Sequence, residues 1–366
     1  MKKIFSIFIL MILFICGAVI NVNAYTNNEN MNSKEITNII TEAYQYRTKS
    51  IVDPSYIDKL ELFYAKYTKI YNFEKNRYKN YIEMADRLNI KILNIKSNVE
   101  ISNIKLKNND ECQVDLKEII SFDWINSNDD PINSKTNKSD MGIDHKVTLI
   151  KKDNEWKIQK DEYTEGYLTN VTSPDFDVSQ LKSLSVPEIT HDNVVPYSPP
   201  GSTPYNRNAA ANYAENYCLK YNPSYKSYDS VGGDCANFVS QCLYAGGAYY
   251  IGFGINSSTN WWYDNKNTSL TTDDVASTTW TYCPSQRPFI LSGWGSETTS
   301  SSLSRGDIIY YDWAGDGIWD HVAIVTGFDS SGAPLVSCHT TDYHNIKWNY
   351  GGSSCKYSCI HINNYI

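Results

Sequence analysis

Gly232-Gly233-Asp234-Cys235-Ala236-Asn237-Phe238-Val239-Ser240-Gln241-Cys242-Leu243-Tyr244-Ala245-Gly246-Gly247 is the stretch on which the fold and the chemistry of this chain turn. The paired glycines at its start permit a tight, open turn, Asp234 suits an N-cap, and Gly246-Gly247 makes a stop. A helix of about three turns is predicted between them, with Cys235 in its first turn. Phe238, Val239, Cys242 and Leu243 recur at 3–4 spacing and face a core. A thiol at a helix N-terminus lies near unsatisfied amides and the positive dipole end, which favour the thiolate. The same amides suit the oxyanion of an acyl-transfer intermediate. Asp234 opposes thiolate formation, so a basic partner is required. The plainer alternative for Cys235 is a small buried residue at a helix start. Cys242, mid-helix with apolar neighbours, reads as structural.

A basic partner lies downstream. Leu303-Ser304-Arg305-Gly306-Asp307-Ile308-Ile309-Tyr310-Tyr311 reads as a turn entering a buried strand. Trp319-Asp320-His321-Val322-Ala323-Ile324-Val325-Thr326-Gly327 is a second strand that opens on a histidine. The turn Asp329-Ser330-Ser331-Gly332 returns the chain into Pro334-Leu335-Val336-Ser337-Cys338-His339-Thr340. In such a hairpin the start of one strand lies beside the end of the next, so His321 and His339 are expected as neighbours. An imidazole next to a thiol is the minimum for nucleophilic catalysis, and a second polar group orienting that imidazole completes a triad.

These motifs, taken in order, are similar to the NlpC/P60 and CHAP superfamily of cysteine hydrolases. They resemble in particular the putative amidase domain family of exported bacterial proteins. The likeness is carried by Tyr205-Asn206-Arg207-Asn208-Ala209-Ala210, by the run from Asp234 to Gln241, by Ser277-Thr278-Thr279-Trp280, by His321 with its strand, and by His339-Thr340-Thr341-Asp342. It spans about residues 205–345. It implies Cys235 as nucleophile, His321 as general base and acid, and His339 as the orienting residue, with Asp342 as a rival orienter. Cys338 departs from the pattern, where a glutamine or similar polar group is expected. The implied fold is α+β and papain-like, a catalytic helix packed on an antiparallel sheet. No metal or organic cofactor is implied, and no CxxC pair or HExxH offers a metal site.

Working outward, the half before residue 174 reads helix first, then sheet. Ser33, Glu35, Ile36, Ile39, Ile40, Ala43 and Tyr44 give a cap and a helical spacing, and a second helical pattern runs from Phe73 to Leu88. The period then changes to two: Val99 and Ile101, Val114 and Leu116, Val147 and Leu149, Trp156 and Ile158 alternate with polar residues. A tight hairpin is expected at Lys151–Glu155. This is a smaller α+β domain whose last hairpin looks like that of NTF2-like domains, with His145 expected as a solvated strand residue. Six of the twelve prolines fall between Pro174 and Pro204, which reads as a linker. The expected organisation is therefore a signal peptide at 1–24, an N-terminal domain at 25–173, a Pro-rich linker at 174–204, and a catalytic domain at 205–366 able to fold alone.

The signal peptide rests on Lys2 and Lys3, the apolar run Ile4 to Ile20, and Val22-Asn23-Ala24 before the cut. The expected location is outside the cell or in its wall. Net charge is -8, and removing the signal leaves 31 basic against 41 acidic residues. Such a chain is a poor partner for nucleic acid or, once the signal is gone, for an anionic membrane. The 29 Tyr, 11 Phe and 9 Trp supply too much buriable area for a disordered chain. Eight cysteines follow the signal: Cys112, Cys218, Cys235, Cys242, Cys283, Cys338, Cys355 and Cys359. Their pairing stays open, Cys355 and Cys359 being either a bridge or two buried thiols. His344 and His361 read as surface residues and His191 as part of the linker. Trp261, Trp262, Trp280 and Trp294 either line a cleft or pack under a long loop. The function expected is hydrolysis of amide bonds in cell-wall peptides. A wall-binding or spore-coat-type module that keeps the fold without catalysis is the alternative.

Overall fold

The computed structural model describes residues 27–177 and 203–366, with side chains from Ser33 onward. The expected signal, His191 and most of the expected linker lie outside the described residues. In the N-terminal half, helices α1 (Asn27–Lys49), α2 (Lys69–Glu74) and α3 (Tyr78–Leu88) precede four long strands. Ile36, Ile40, Ala43 and Tyr44 form the buried face of α1, but Ser33 lies inside the helix rather than capping it. The second helical pattern is broken between Glu74 and Tyr78, where Arg77 turns inward and donates through Nε to Glu165 at 2.8 Å. Strands β1 (Ile90–Asn108), β2 (Glu111–Asn126), β3 (Asn137–Lys152) and β4 (Glu155–Glu162) form an antiparallel meander. Asp153 and Asn154 take left-handed φ of 50° and 67°, the two-residue turn that suits the twist of a hairpin. A small hairpin, β5 (Thr164–Gly166) and β6 (Val171–Thr172), follows.

The C-terminal half begins with α4 (Arg207–Tyr217) and α5 (Cys235–Ala245). A short hairpin, β7 (Tyr263–Asp264) and β8 (Val275–Ala276), leads to α6 (Thr278–Thr281) and α7 (Cys283–Leu291). Strands β9 (Gly295–Thr298), β10 (Ile308–Asp312), β11 (His321–Phe328), β12 (Pro334–Cys338), β13 (Asp342–Lys347) and β14 (Lys356–Ile362) complete the chain. Alternate residues of β10 and β11 bury on opposite faces. Ile308, Tyr310, Val322 and Ile324 pack with α4, α5 and α7 in one core. Trp261, Trp280 and Trp294 belong to that core, and Trp262 is buried too, so these tryptophans pack rather than line a cleft.

Ile309, Tyr311, Ala323 and Val325 face the other way, into the core that also holds Tyr44, Trp124 and Trp156 of the N-terminal half. The two halves share a sheet as well as a core. β13 pairs antiparallel with β3, Tyr343 opposite Met141, giving one ten-stranded sheet in the order β1-β2-β3-β13-β12-β11-β10-β14-β9, with β4 beside β3. The fold is thus mixed α+β around a large antiparallel sheet. Autonomy of the C-terminal half does not follow from it, because separation would strip one face of β10–β12 and free the edge of β13.

Candidate active site

Cys235 opens α5, as the glycine turn and the apolar spacing predict, yet the cap is not the one expected. The Asp234 side chain makes no capping bond. Its Oδ1 instead accepts from Tyr228 N at 2.8 Å and Asn237 Nδ2 at 2.9 Å, and its Oδ2 meets His339 Nδ1 at 2.8 Å. The cap comes from Thr340, whose Oγ1 accepts from Asp234 N at 2.7 Å and Cys235 N at 3.2 Å. This close approach explains Gly233: its φ is +117° and a Cβ there would lie 3.0 Å from Thr340 Oγ1. The Cys235 amide, expected as an oxyanion donor, is therefore already bonded in this state.

Around the sulfur three groups converge. Cys283, first residue of α7, places its Sγ 3.6 Å from Cys235 Sγ. His321, first residue of β11, and the Val322 backbone act on the same sulfur. The Cys235 thiol is held well below its ordinary range: the Cys283 thiol beside it favours the thiolate most, burial opposes, and His321 adds its positive charge. Cys283 moves the other way, pushed up by burial and by the Cys235 thiolate. For His321, burial disfavours the charged ring, but the Cys235 and then the Cys338 sulfurs outweigh it, and the imidazole is pushed up to about 10. Trp313 stacks on the His321 ring at 5.5 Å, with the Tyr311 ring also at 5.5 Å. His321 Nε2 is buried with no hydrogen-bond partner among the described residues.

The structure does not bring His339 to His321. Strand alternation gives the reason. Ile324 stands opposite Ser337, so Val322 and His339 share that face toward α5, while His321, Ala323 and Cys338 lie on the other. His339 stacks on Phe238 at 4.0 Å, and its Nε2 bonds the Tyr217 carbonyl at 2.7 Å, so both ring nitrogens are occupied. The group beside His321 is Cys338, the residue that departed from the family pattern; its Sγ also lies 3.7 Å from Tyr350 Oη. Asp342, the rival orienter, pairs with Lys117 and accepts from Tyr221 Oη at 3.3 Å.

Other expectations are corrected in the same way. His145 is not solvated: it is fully buried, with Nδ1 2.8 Å from Asp161 and Nε2 3.5 Å from Glu118. Tyr44 and Arg47 close that cluster, Arg47 reaching Glu118, Glu74 and Asp161. His344 and His361 are half-buried and paired, with Asp140 at 2.8 Å and Asp307 at 2.9 Å. All eight cysteines after residue 27 are free buried thiols, Cys355 and Cys359 included.

Two surface cavities among the described residues are lined by side chains other than Cys235 and His321. One of about 420 Å³ is walled by Tyr225, Tyr244, Tyr250, Phe253 and Tyr263. The other, about 180 Å³, sits between the halves beside Asp144, Tyr221, Asp229 and Asp342. Burial pushes Asp229 up to about 6. No group of three or more His, Cys, Asp or Glu side chains is placed to hold a metal among the described residues.

Two curated relatives are each described as an uncharacterized protein. The Bacillus subtilis (strain 168) protein YhbB is 33% identical over 168 residues, 43% of this chain and 50% of its own length. YjcM of the same organism is 29% identical over 210 residues, 53% of this chain and 46% of its own length. The chain thus spans about half the length of the curated relatives it matches. Among solved structures, an NTF-2-like protein of unknown function from Shewanella oneidensis MR-1 aligns with 36% of this chain and 98% of its own, at 14% identity and a TM-score of 0.23. A likeness that loose decides nothing about function. Residues 204–362, which carry Cys235, His321 and His339, match the family model described as "Putative amidase domain".

Proposed function

We propose that the protein is an exported cysteine hydrolase of the NlpC/P60–CHAP type, cleaving amide bonds in cell-wall peptides. The observation that carries this is the pair at the start of α5, a thiol held low beside an imidazole held high. That polarity is the resting state a thiolate nucleophile needs. In the reaction Cys235 Sγ attacks the amide carbonyl carbon, and the tetrahedral intermediate collapses as protonated His321 gives its proton to the leaving amine. The acyl-enzyme is then opened by water, whose proton His321 takes, and the tetrahedral intermediate expels Cys235 as the thiolate, restoring the thiolate–imidazolium pair. Asp234, Thr340 and His339 hold the helix start, and Cys338 with Trp313 braces the His321 ring. The peptide substrate follows from the family resemblance and from the expected signal segment.

Digestion of purified wall material, with mass analysis of the fragments, tests this reading. Wild-type protein is expected to release peptide fragments with new carboxyl ends, and Cys235→Ala none. Equal fragments from both, or none from a thiol-reactive wild type, would count against it. One observation favours the non-catalytic alternative: Cys235 is only 7% exposed. A folded protein whose Cys235 resists small thiol probes at all pH values would support that alternative.

A further inference from the structure

The mechanism above leaves Cys283 unused, although its sulfur lies in contact with that of the nucleophile. Its Sγ is 3.6 Å from Cys235 Sγ, within reach of a disulfide after small side-chain rotations, whose sulfurs then sit about 2.05 Å apart. Each cysteine is the first residue of its helix, Cys235 of α5 and Cys283 of α7, so the short backbone at two helix starts holds the pair together. The remaining thiols have other surroundings: Cys338 lies against Thr341 O and Tyr350 Oη, Cys218 against Glu215 O. No other cysteine pair is in sulfur contact among the described residues.

We propose that Cys235 and Cys283 form a reversible oxidation site, in which Cys283 resolves the oxidised nucleophile. The oxidant class is a hydroperoxide. The Cys235 thiolate attacks the terminal peroxide oxygen, the O–O bond breaks, and the products are a sulfenic acid and water or alcohol after protonation. Cys283 then attacks the Cys235 sulfur, its thiol proton leaves with the hydroxyl as water, and the disulfide closes. Two electrons pass from the thiol pair to the peroxide. The disulfide removes the nucleophile from the hydrolytic reaction, while a sulfenic acid left unresolved goes on to irreversible sulfinic acid. Any thiol reductant reverses the disulfide. The inference rests on the two sulfurs and not on hydrolytic activity.

The test treats the full chain with hydrogen peroxide, blocks free thiols, and maps peptides without reduction. Wild type is expected to yield a Cys235–Cys283 cross-linked peptide, lighter by two hydrogens and reversed by dithiothreitol. Cys283→Ser and Cys283→Ala are expected to accumulate sulfinic acid at Cys235 that dithiothreitol does not remove. Wild-type Cys235 found as sulfinic acid at the variants' rate, or cross-linked to a different cysteine, would overturn the proposal. The wild-type map alone decides if both variants fail to fold. Failure of the fully reduced protein to digest wall material, with the cross-link still forming on oxidation, would remove the hydrolase reading and leave this one standing.

Discussion

Each half of the molecule buries a histidine among ionisable groups, and the two are built differently. His145 has Asp161 on one nitrogen and Glu118 on the other, with Arg47 and Tyr44 completing the cluster. His321 has sulfur on its flanks, an aromatic ring on its face and a buried Nε2 with no partner among the described residues. Both rings are raised, but by carboxylates in one case and by thiols in the other. A ring with both nitrogens bonded is a cross-link, while a ring with an open nitrogen beside a thiolate retains a proton to move. His339, saturated by Asp234 and Tyr217, belongs with His145.

The largest expected effect comes from breaking the open site. His321→Ala should lower turnover by about 10³-fold or more and return the Cys235 thiol toward its free value of about 8.5. Wall digestion and the pH dependence of alkylation read the two quantities.

Opening the closed site should cost stability and leave chemistry alone. Arg47→Met leaves Glu118 and Asp161 buried without their cation, a loss of about 3–5 kcal/mol by denaturant unfolding. The pH dependence has a definite sign. The folded-state value of His145 is raised, because Asp161 and Glu118 outweigh burial, so its contribution is full below the unfolded value of about 6.5 and is lost as pH rises. Glu118 is lowered, Arg47 outweighing burial, so its contribution is present above about 4.3 and is lost as pH falls. The stability deficit of His145→Gln against wild type should therefore be greatest near pH 5–6 and shrink above about 6.5. A deficit that grows with pH would mean that the ring is buried neutral.

His339→Ala sharpens the same contrast within the C-terminal half. It removes two hydrogen bonds and the stack on Phe238, worth about 1–3 kcal/mol, and activity per folded molecule should hold within a few-fold. A loss equal to that of His321→Ala would restore His339 to the reaction. Asp342→Asn is the smallest change, about 1 kcal/mol from the Lys117 pair, with turnover unchanged.

Much of this was legible in the chain. The glycine-bounded run gave α5 with Cys235 at its start, period-two patterns gave β1–β4, and the turn Asp329-Ser330-Ser331-Gly332 gave the hairpin of β11 and β12. His145 was legible too and was misread: it shares parity with Val147 and Leu149, and all three are buried. The placement of His339 needed the register of β12 against β11, which composition does not supply; one residue of parity exchanges Cys338 for His339 on the face that carries His321. Thr340 as the cap of α5 is a contact across more than a hundred residues, and local capping rules assign that task to Asp234 instead. The sheet joining the halves was hidden because the proline-rich segment signals a boundary whether or not strands later pair across it.

The central claim is that Cys235 is a thiolate held by Cys283 and His321 together. Its most direct test is the pH dependence of alkylation at Cys235, resolved by mass spectrometry in the folded protein, with the seven other buried cysteines as internal references. The account predicts that Cys235 labels first, with an apparent pKa below that of a free thiol at about 8.5, and that His321→Ala moves it upward. Labelling of Cys235 that rises only with the buried reference thiols, and is unmoved by His321→Ala, would contradict it.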